Sequence, residues 1–270
     1  SRQGAALLGE QEFIEDFSVF RAHPLLFQFF IALTFAISGI HDVNARVVAA
    51  LLGILTIVLT YFVGKELFNK KIGIVAALIL AVNGYHIVFS RQVLLDVPLA
   101  FFFTLTLYFI VKYRIKQTFL LAYLIGIASG LTFLSKEVGI FAIVVFLLYV
   151  TLTRKINVRK IMTALIGYGL AVSPFFIALL FTPGALDNFS SFSSYQFSRE
   201  GNTDIEFYAK ILVQEALGYA LVIICIVAGL LGIVVKKHMI KDQTILLLVS
   251  ICVPLIFFQL IPIKGVRFLL

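Results

Sequence analysis

Apolar and polar positions along this chain alternate in long blocks rather than in short periods. Apolar runs fall at about residues 24–40, 46–64, 72–89, 96–111, 118–134, 138–153, 161–181, 214–235 and 244–262. Their lengths are close to that of a membrane-crossing helix, about 20 residues with a range of about 17–25. Charges cluster in the connectors and are absent from the middles of the runs. The pattern predicts an all-α polytopic membrane protein.

The connectors divide by charge. Lys65, Lys70 and Lys71 form one basic cluster, and Lys112, Arg114 and Lys116 form the next. Arg154, Lys155, Arg159 and Lys160 make a third, and Lys236, Lys237 and Lys241 a fourth. They occupy every second connector, so an excess of cytoplasmic Lys and Arg places them all inside. These clusters hold thirteen of the 22 basic residues and only Glu66 and Asp242 of the 14 acids. The net charge of +8 therefore reports topology rather than nucleic-acid binding.

The same parity starts the run 46–64 outside, near Asp42 and Arg46. The run 24–40 carries Gln28 and Thr34 and is expected to be a juxtamembrane or re-entrant helix at the outer face. That leaves eight spans. The expected division is an external juxtamembrane segment over 1–45, a transmembrane module over 46–181, an external loop over 182–213 and further transmembrane helices over 214–270. The middle of that loop, with Pro183, Gly184 and a Ser/Phe-rich stretch, is expected to be irregular.

Composition agrees. Hydrophobic residues make up 61% and charged residues 13%, with a mean hydropathy of +1.06; a soluble domain has about 45–50% and about 25%. One aqueous core cannot hide that excess, so lipid is the solvent for much of the surface. Cys225 and Cys252 lie in apolar runs without a Cys or His at metal spacing and are expected to be buried, inert thiols. The chain opens on Ser1 and stops within Arg267-Phe268-Leu269-Leu270, which reads as a piece cut at both ends.

Candidate chemistry gathers on the outer face: Arg91, Asp96, Lys136, Glu137, Lys264 and Arg267 at the ends of runs, with Arg21 and His23 before the first helix. Any one of these can be a charge that snorkels to water. Together, with Asp96 set against Val97-Pro98-Leu99, they suggest a site, since ionisable groups at the edge of the apolar zone are costly. Glu137 follows Lys136 directly, so the two point apart and need not pair. His86, inside a span, is expected to be a satisfied core histidine. Phe101-Phe102-Phe103 reads as packing or lipid-facing, and Gly126, Ser129, Gly130, Gly167 and Gly169 as positions of close helix packing.

Four segments resemble a known family. Arg91-Gln92-Val93-Leu94-Leu95-Asp96-Val97-Pro98 is similar to the Arg-x(4)-Asp-x-Pro segment of dolichyl-phosphate-mannose–protein mannosyltransferase-like enzymes, members of the GT-C superfamily. That superfamily also includes the aminoarabinose transferase of lipid A. His23-Pro24-Leu25-Leu26 resembles the family's His-Pro-Pro-Leu, with Leu25 in place of the second Pro. Gly130-Leu131-Thr132-Phe133-Leu134-Ser135-Lys136 resembles Gly-Leu-x-x-Leu-Thr-Lys. Lys264-Gly265-Val266-Arg267-Phe268-Leu269-Leu270 resembles Lys-x-x-Arg-Tyr-Leu-Leu-Pro, stopping before the Pro.

The resemblance implies a GT-C-like bundle and an inverting transfer of a sugar, mannose or a related one, from a polyprenyl-phosphate donor. The acceptor would be a protein or a lipid-linked glycan. It implies that Arg91, Lys136 and Arg267 stabilise the departing lipid phosphate and that a carboxylate takes the acceptor proton. In the family that base belongs to an Asp-Glu pair on a loop after a first transmembrane helix, upstream of Ser1, with Asp96 assisting or holding a divalent ion. His23 would bind phosphate, acceptor or metal, or simply start a helix. No metal ligand set is assigned, and a divalent cation is the one cofactor left open. The location would be the plasma membrane of a prokaryote or otherwise the endoplasmic reticulum. A transporter or channel is the rival class, although the apolar span middles and the lack of a repeat speak against it. A non-catalytic homologue that binds lipid-linked sugars is a third reading.

Overall fold

The computed structural model describes residues 23–198 and 241–260, and among these every regular element is helical. Helix α1 spans Leu26–Ser38, α2 Asp42–Leu67, α3 Lys70–Ala81 and α4 Gly84–Ser90; α5 spans Asp96–Ile115 and α6 Phe119–Ser135. A 3₁₀ turn at Glu137–Ile140 leads into α7 at Phe141–Leu152, followed by α8 at Val158–Phe181, α9 at Ala185–Ser198 and α10 at Lys241–Leu260.

The polar residues between runs fix the helix starts. Asn69, Asn83, Thr118 and Asn157 each precede a helix, and each side-chain oxygen accepts a backbone N–H from the first turn, meeting a donor the helix itself leaves unpaired. Helix α1 ends at Gly39, whose φ of +83° needs a residue without Cβ. The Asn44 amide then donates to the carbonyls of Ser38 and Gly39 at 3.2 and 2.7 Å.

Threonine hydroxyls inside the apolar helices are satisfied one turn back. Thr56, Thr104, Thr106 and Thr132 all donate to the i−4 carbonyl at 2.8–2.9 Å, so none of these four is left unpaired in hydrocarbon. The Ser129 and Tyr149 hydroxyls, by contrast, are buried without a partner among the described residues. Pro174 cannot donate to Leu170 within α8, and the Ser173 hydroxyl donates to that carbonyl instead, at 2.9 Å.

Among the described residues, α2, α5 and α8 are long and apolar enough to cross a membrane, and α3 with α4 makes a fourth candidate bent by 63°. The run 72–89 is thus not one straight span. It breaks at Val82-Asn83-Gly84, where Asn83 caps a new helix and its side chain accepts from His86 N–H at 3.0 Å. Helix α1 has 13 residues, a rise of about 20 Å against a hydrocarbon thickness of about 30 Å. It begins beside Glu137 and ends beside the start of α2, both at one end of the bundle, as expected of a juxtamembrane helix.

Helices α2 and α5 run parallel, since Val97 packs with Ala49 and Leu52 at one end and Lys112 meets Glu66 at the other. Helix α6 runs antiparallel to α5, with Lys136 at its end against Asp96 at the start of α5. The connectors at 39–41, 91–95 and 136–137 therefore share one end, and those at 68–69, 116–118 and 153–157 share the other. Every described basic cluster falls at the second end, where Lys155 also pairs with Asp242.

The core is centred on α5, α6, α7 and α8, with Ile110, Ile125, Val145, Phe146, Tyr149 and Ala164 fully buried. Helices associate in lipid without a hydrophobic drive between them, so close packing and small residues decide the interface. Helices α6 and α8 run parallel and touch through backbone: a Cβ on Gly126 would lie 1.9 Å from the Ala164 carbonyl oxygen, and one on Gly167 2.6 Å from that of Tyr123. Gly130 is similarly close to Ala171, whereas Gly169 faces open space and serves no close contact.

The outside is apolar, with Leu51, Ile54, Leu78, Ile166 and Leu180 all exposed. Cys252 is also exposed on α10, contrary to the expected buried thiol; in a lipid-facing helix an apolar neighbourhood does not require a protein one. Cys225 lies outside the described residues. A second difference lies in 182–198. After a turn through Gly184 at φ +70°, Ala185–Ser198 is helical rather than irregular. Phe189 gives it a packed face, 5.5 Å from Phe175.

Candidate active site at the outer end of the bundle

Asp96 opens α5 and Lys136 follows the last residue of α6. The chain meets at these two points because α5 and α6 are antiparallel neighbours of similar length. Lys136 Nζ lies 2.8 Å from Asp96 Oδ1, and both residues are buried at 7% and 4% exposure. Two opposite charges withdrawn from water at this depth compensate one another, and removing either leaves the other unmatched.

Glu137 begins the 3₁₀ turn and points the other way. Its carboxylate accepts the Nδ1–H of His23 at 2.8 Å, with both side chains about one-fifth exposed. The two adjacent residues Lys136 and Glu137 therefore brace two distant parts of the chain: the start of α5 and the segment before α1. The sequence placed Glu137 on this face without a partner. A contact between residues 114 apart has no signature in spacing, and only the fold reveals it.

The remaining candidates separate. Arg91 is exposed on the turn between α4 and α5, near the cluster in sequence but outside both ion pairs. Arg21, Lys264 and Arg267 lie outside the described residues. His86 is buried, with Nε2 3.2 Å from the Gly53 carbonyl oxygen, which is the satisfied core histidine expected. Phe102 is buried and stacks on Phe30 at 6.5 Å, and Phe103 meets Phe141 edge-on at 4.9 Å, so this triplet packs the bundle. Among the described residues no three His, Cys, Asp or Glu side chains converge as a metal site would require. Asp96 and Glu137 each face a nitrogen base instead.

A shallow cavity of about 300 Å³ adjoins the turn, lined by Asp42, Ala45, Arg46, Gln92 and Val93. The arrangement can hold an anion beside Lys136 if Asp96 yields its partner, and it can present Asp96 to a hydroxyl once that exchange has occurred.

The architecture has solved counterparts. The chain superposes on the crystal structure of ArnT from Cupriavidus metallidurans bound to undecaprenyl phosphate, with a TM-score of 0.76 and 16% identity. That match covers 92% of this chain and 47% of that one. The apo form of the same protein gives 0.68 at 17% identity over 91% of this chain. At such identity the likeness establishes the fold alone, an all-helical bundle; the long apolar helices and their apolar exterior make the chain an integral membrane protein. An Aquifex aeolicus (strain VF5) protein described as uncharacterized is 32% identical over 114 residues, 42% of this chain and 23% of its own length. The chain thus spans under a quarter of that relative and about half of the ArnT chain. The profile of the family described as Dolichyl-phosphate-mannose-protein mannosyltransferase matches residues 22–181, a stretch that holds His23, Arg91, Asp96, Lys136 and Glu137. The chain belongs to that family.

Proposed function

We propose that this chain is the membrane portion of a glycosyltransferase. It would move a sugar, mannose or a relative, from a polyprenyl-phosphate donor to a protein or lipid-linked acceptor at the face bearing Asp96. The observation that carries the reading is the buried Lys136–Asp96 pair, 2.8 Å across, at the polar end of a lipid-facing bundle. Membership of the mannosyltransferase family supports it, as does the likeness in fold to a protein crystallised with undecaprenyl phosphate.

Such a donor keeps its tail in lipid and its phosphate at the membrane surface. The acceptor hydroxyl oxygen forms a bond to the sugar C1 as the bond from C1 to the phosphate oxygen breaks, and attack from the opposite side inverts C1. The electron pair leaves with the lipid phosphate, which is stable as an anion and calls for cations rather than a general acid. Lys136 takes that role, with Arg91 and Arg267 as further candidates. A carboxylate accepts the hydroxyl proton. Asp96 becomes available for this, or for supporting another carboxylate, when the phosphate draws Lys136 away. His23, held by Glu137 at the same end of the bundle, is a further candidate for contacting donor or acceptor.

Among the described residues, the broken α3–α4 pair is the feature that points toward a transporter. Its polar groups are used in the fold, however: Asn83 caps His86 N–H and His86 meets Gly53.

The test is transfer by the full-length protein in proteoliposomes, supplied with a radiolabelled polyprenyl-phosphate mannose and a mixed acceptor pool. Asp96→Asn should insert normally and lower transfer by about a hundredfold or more. Transfer unchanged in both Asp96→Asn and Lys136→Gln would remove this site from the reaction.

A further inference from the structure

At the opposite end of the bundle, a cavity of about 480 Å³ opens among the ends of α2 and α5 and the start of α6. It is lined by Glu66, Tyr108, Phe109, Lys112, Lys116 and Leu121, with Ile115 at its edge. That volume lies in the range of small-ligand sites, about 300–1,000 Å³. None of these groups belongs to the proposed transfer site.

Its lining is amphiphilic in a definite order. Lys112 Nζ lies 2.6 Å from Glu66 Oε1 and 5.5 Å from the Tyr108 ring centroid, while a third of its side chain stays exposed. Glu66 is matched by Lys112, which leaves Lys116, exposed on the same cavity wall, as the surplus cation. Below them the walls become apolar. Phe62 of α2 lies 6.1 Å from Tyr108, ring to ring. From Phe62 an exposed stripe of Val58, Leu55 and Leu51 continues along α2. Those positions recur every three or four residues, so they share one helix face. The cavity has cations at its mouth and leads onto a hydrocarbon-facing track.

We propose that this groove binds an anionic phospholipid of the cytoplasmic leaflet, its phosphate between Lys112 and Lys116 and one acyl chain along Phe62, Val58, Leu55 and Leu51. The charge excess at this end matches the negative potential of that leaflet. The continuity of the cation site with the apolar track favours a lipid over a free anion, because one molecule then engages both while a soluble phosphate gains only the charged contact.

The experiment places the full-length protein in phosphatidylcholine vesicles carrying a photoactivatable phosphatidylglycerol, with cross-links mapped by mass spectrometry. Labelling is expected on Phe62, Tyr108 and Leu121, with unlabelled phosphatidylglycerol competing and excess inorganic phosphate failing to compete. Lys116→Gln should weaken labelling about fivefold, and Lys71→Gln, an exposed cation at the same end outside the groove, should leave it unchanged. Equal labelling by photoactivatable phosphatidylcholine, full competition by phosphate, or equal losses in the two variants would each overturn the proposal.

Discussion

Lys136 and Asp96 are 40 residues apart in sequence, yet they share a hydrogen bond of 2.8 Å in a place where neither side chain is more than 9% exposed. The contact exists because two antiparallel helices of 20 and 17 residues end level with each other. Its strength depends on both members, since a buried charge without its counterpart is the costly state.

A double-mutant cycle tests that dependence. Lys136→Met alone should lower unfolding free energy by about 3–5 kcal/mol. The same change combined with Asp96→Asn should recover a large part of the loss. Equilibrium unfolding in mild detergent measures both, and additive losses would mean the two groups do not depend on one another.

The Glu137–His23 contact is half-wet and should behave differently. Glu137→Gln keeps an acceptor for Nδ1–H and should change stability by no more than about 1 kcal/mol. Glu137→Leu removes the acceptor and, if His23 touches substrate, should lower transfer while Gln retains it. Similar transfer by both variants would separate His23 from the site.

The α6–α8 interface makes a third prediction. Gly126→Ala places a methyl where the Ala164 carbonyl oxygen already stands, forcing two backbones apart at a cost of about 3 kcal/mol or more. Gly169→Ala meets nothing within 4 Å and should be neutral or slightly stabilising. Thermal unfolding of the two variants compares them directly, and equal Tm values would contradict the close approach.

Sidedness is tested by single cysteines in a background without Cys225 and Cys252. A membrane-impermeant maleimide should label Gln92→Cys and His41→Cys from the same side, and Lys116→Cys and Phe68→Cys only from the other. Labelling of Gln92→Cys and Lys116→Cys from one side would break the arrangement of α5.

Much of the bundle was legible from residue pattern alone. Alternating basic connectors predicted which ends lie together, and the structure brings Lys112 to Glu66 and Lys155 to Asp242 at the expected end. The run 24–40 reads as a juxtamembrane or re-entrant helix from its polar Gln28 and Thr34, and α1 there has 13 residues. The break in 72–89 was also written in the chain, as Asn83-Gly84, a turn dipeptide, but a window of hydropathy averages it away. The helix at Ala185–Ser198 was hidden for the opposite reason: its serines lower apolarity, while Phe189 supplies a packed face only once α8 is in place. Of the site, Asp96 and Lys136 could be placed on one face from sequence, but their contact and that of Glu137 with His23 required the third dimension.

Helices α6 and α8 meet backbone to backbone at Gly126 and Gly167, Phe133 wedges against Tyr168, Phe175 and Phe176 further along, and Lys136 and Glu137 stand at the tip of that pair. A joint so closely filled has little slack, so the tip acts as a fixed anvil. Any exchange of partners at the two ion pairs then falls to what the anvil holds, Asp96 at the start of α5 and His23 before α1, rather than to the anvil itself.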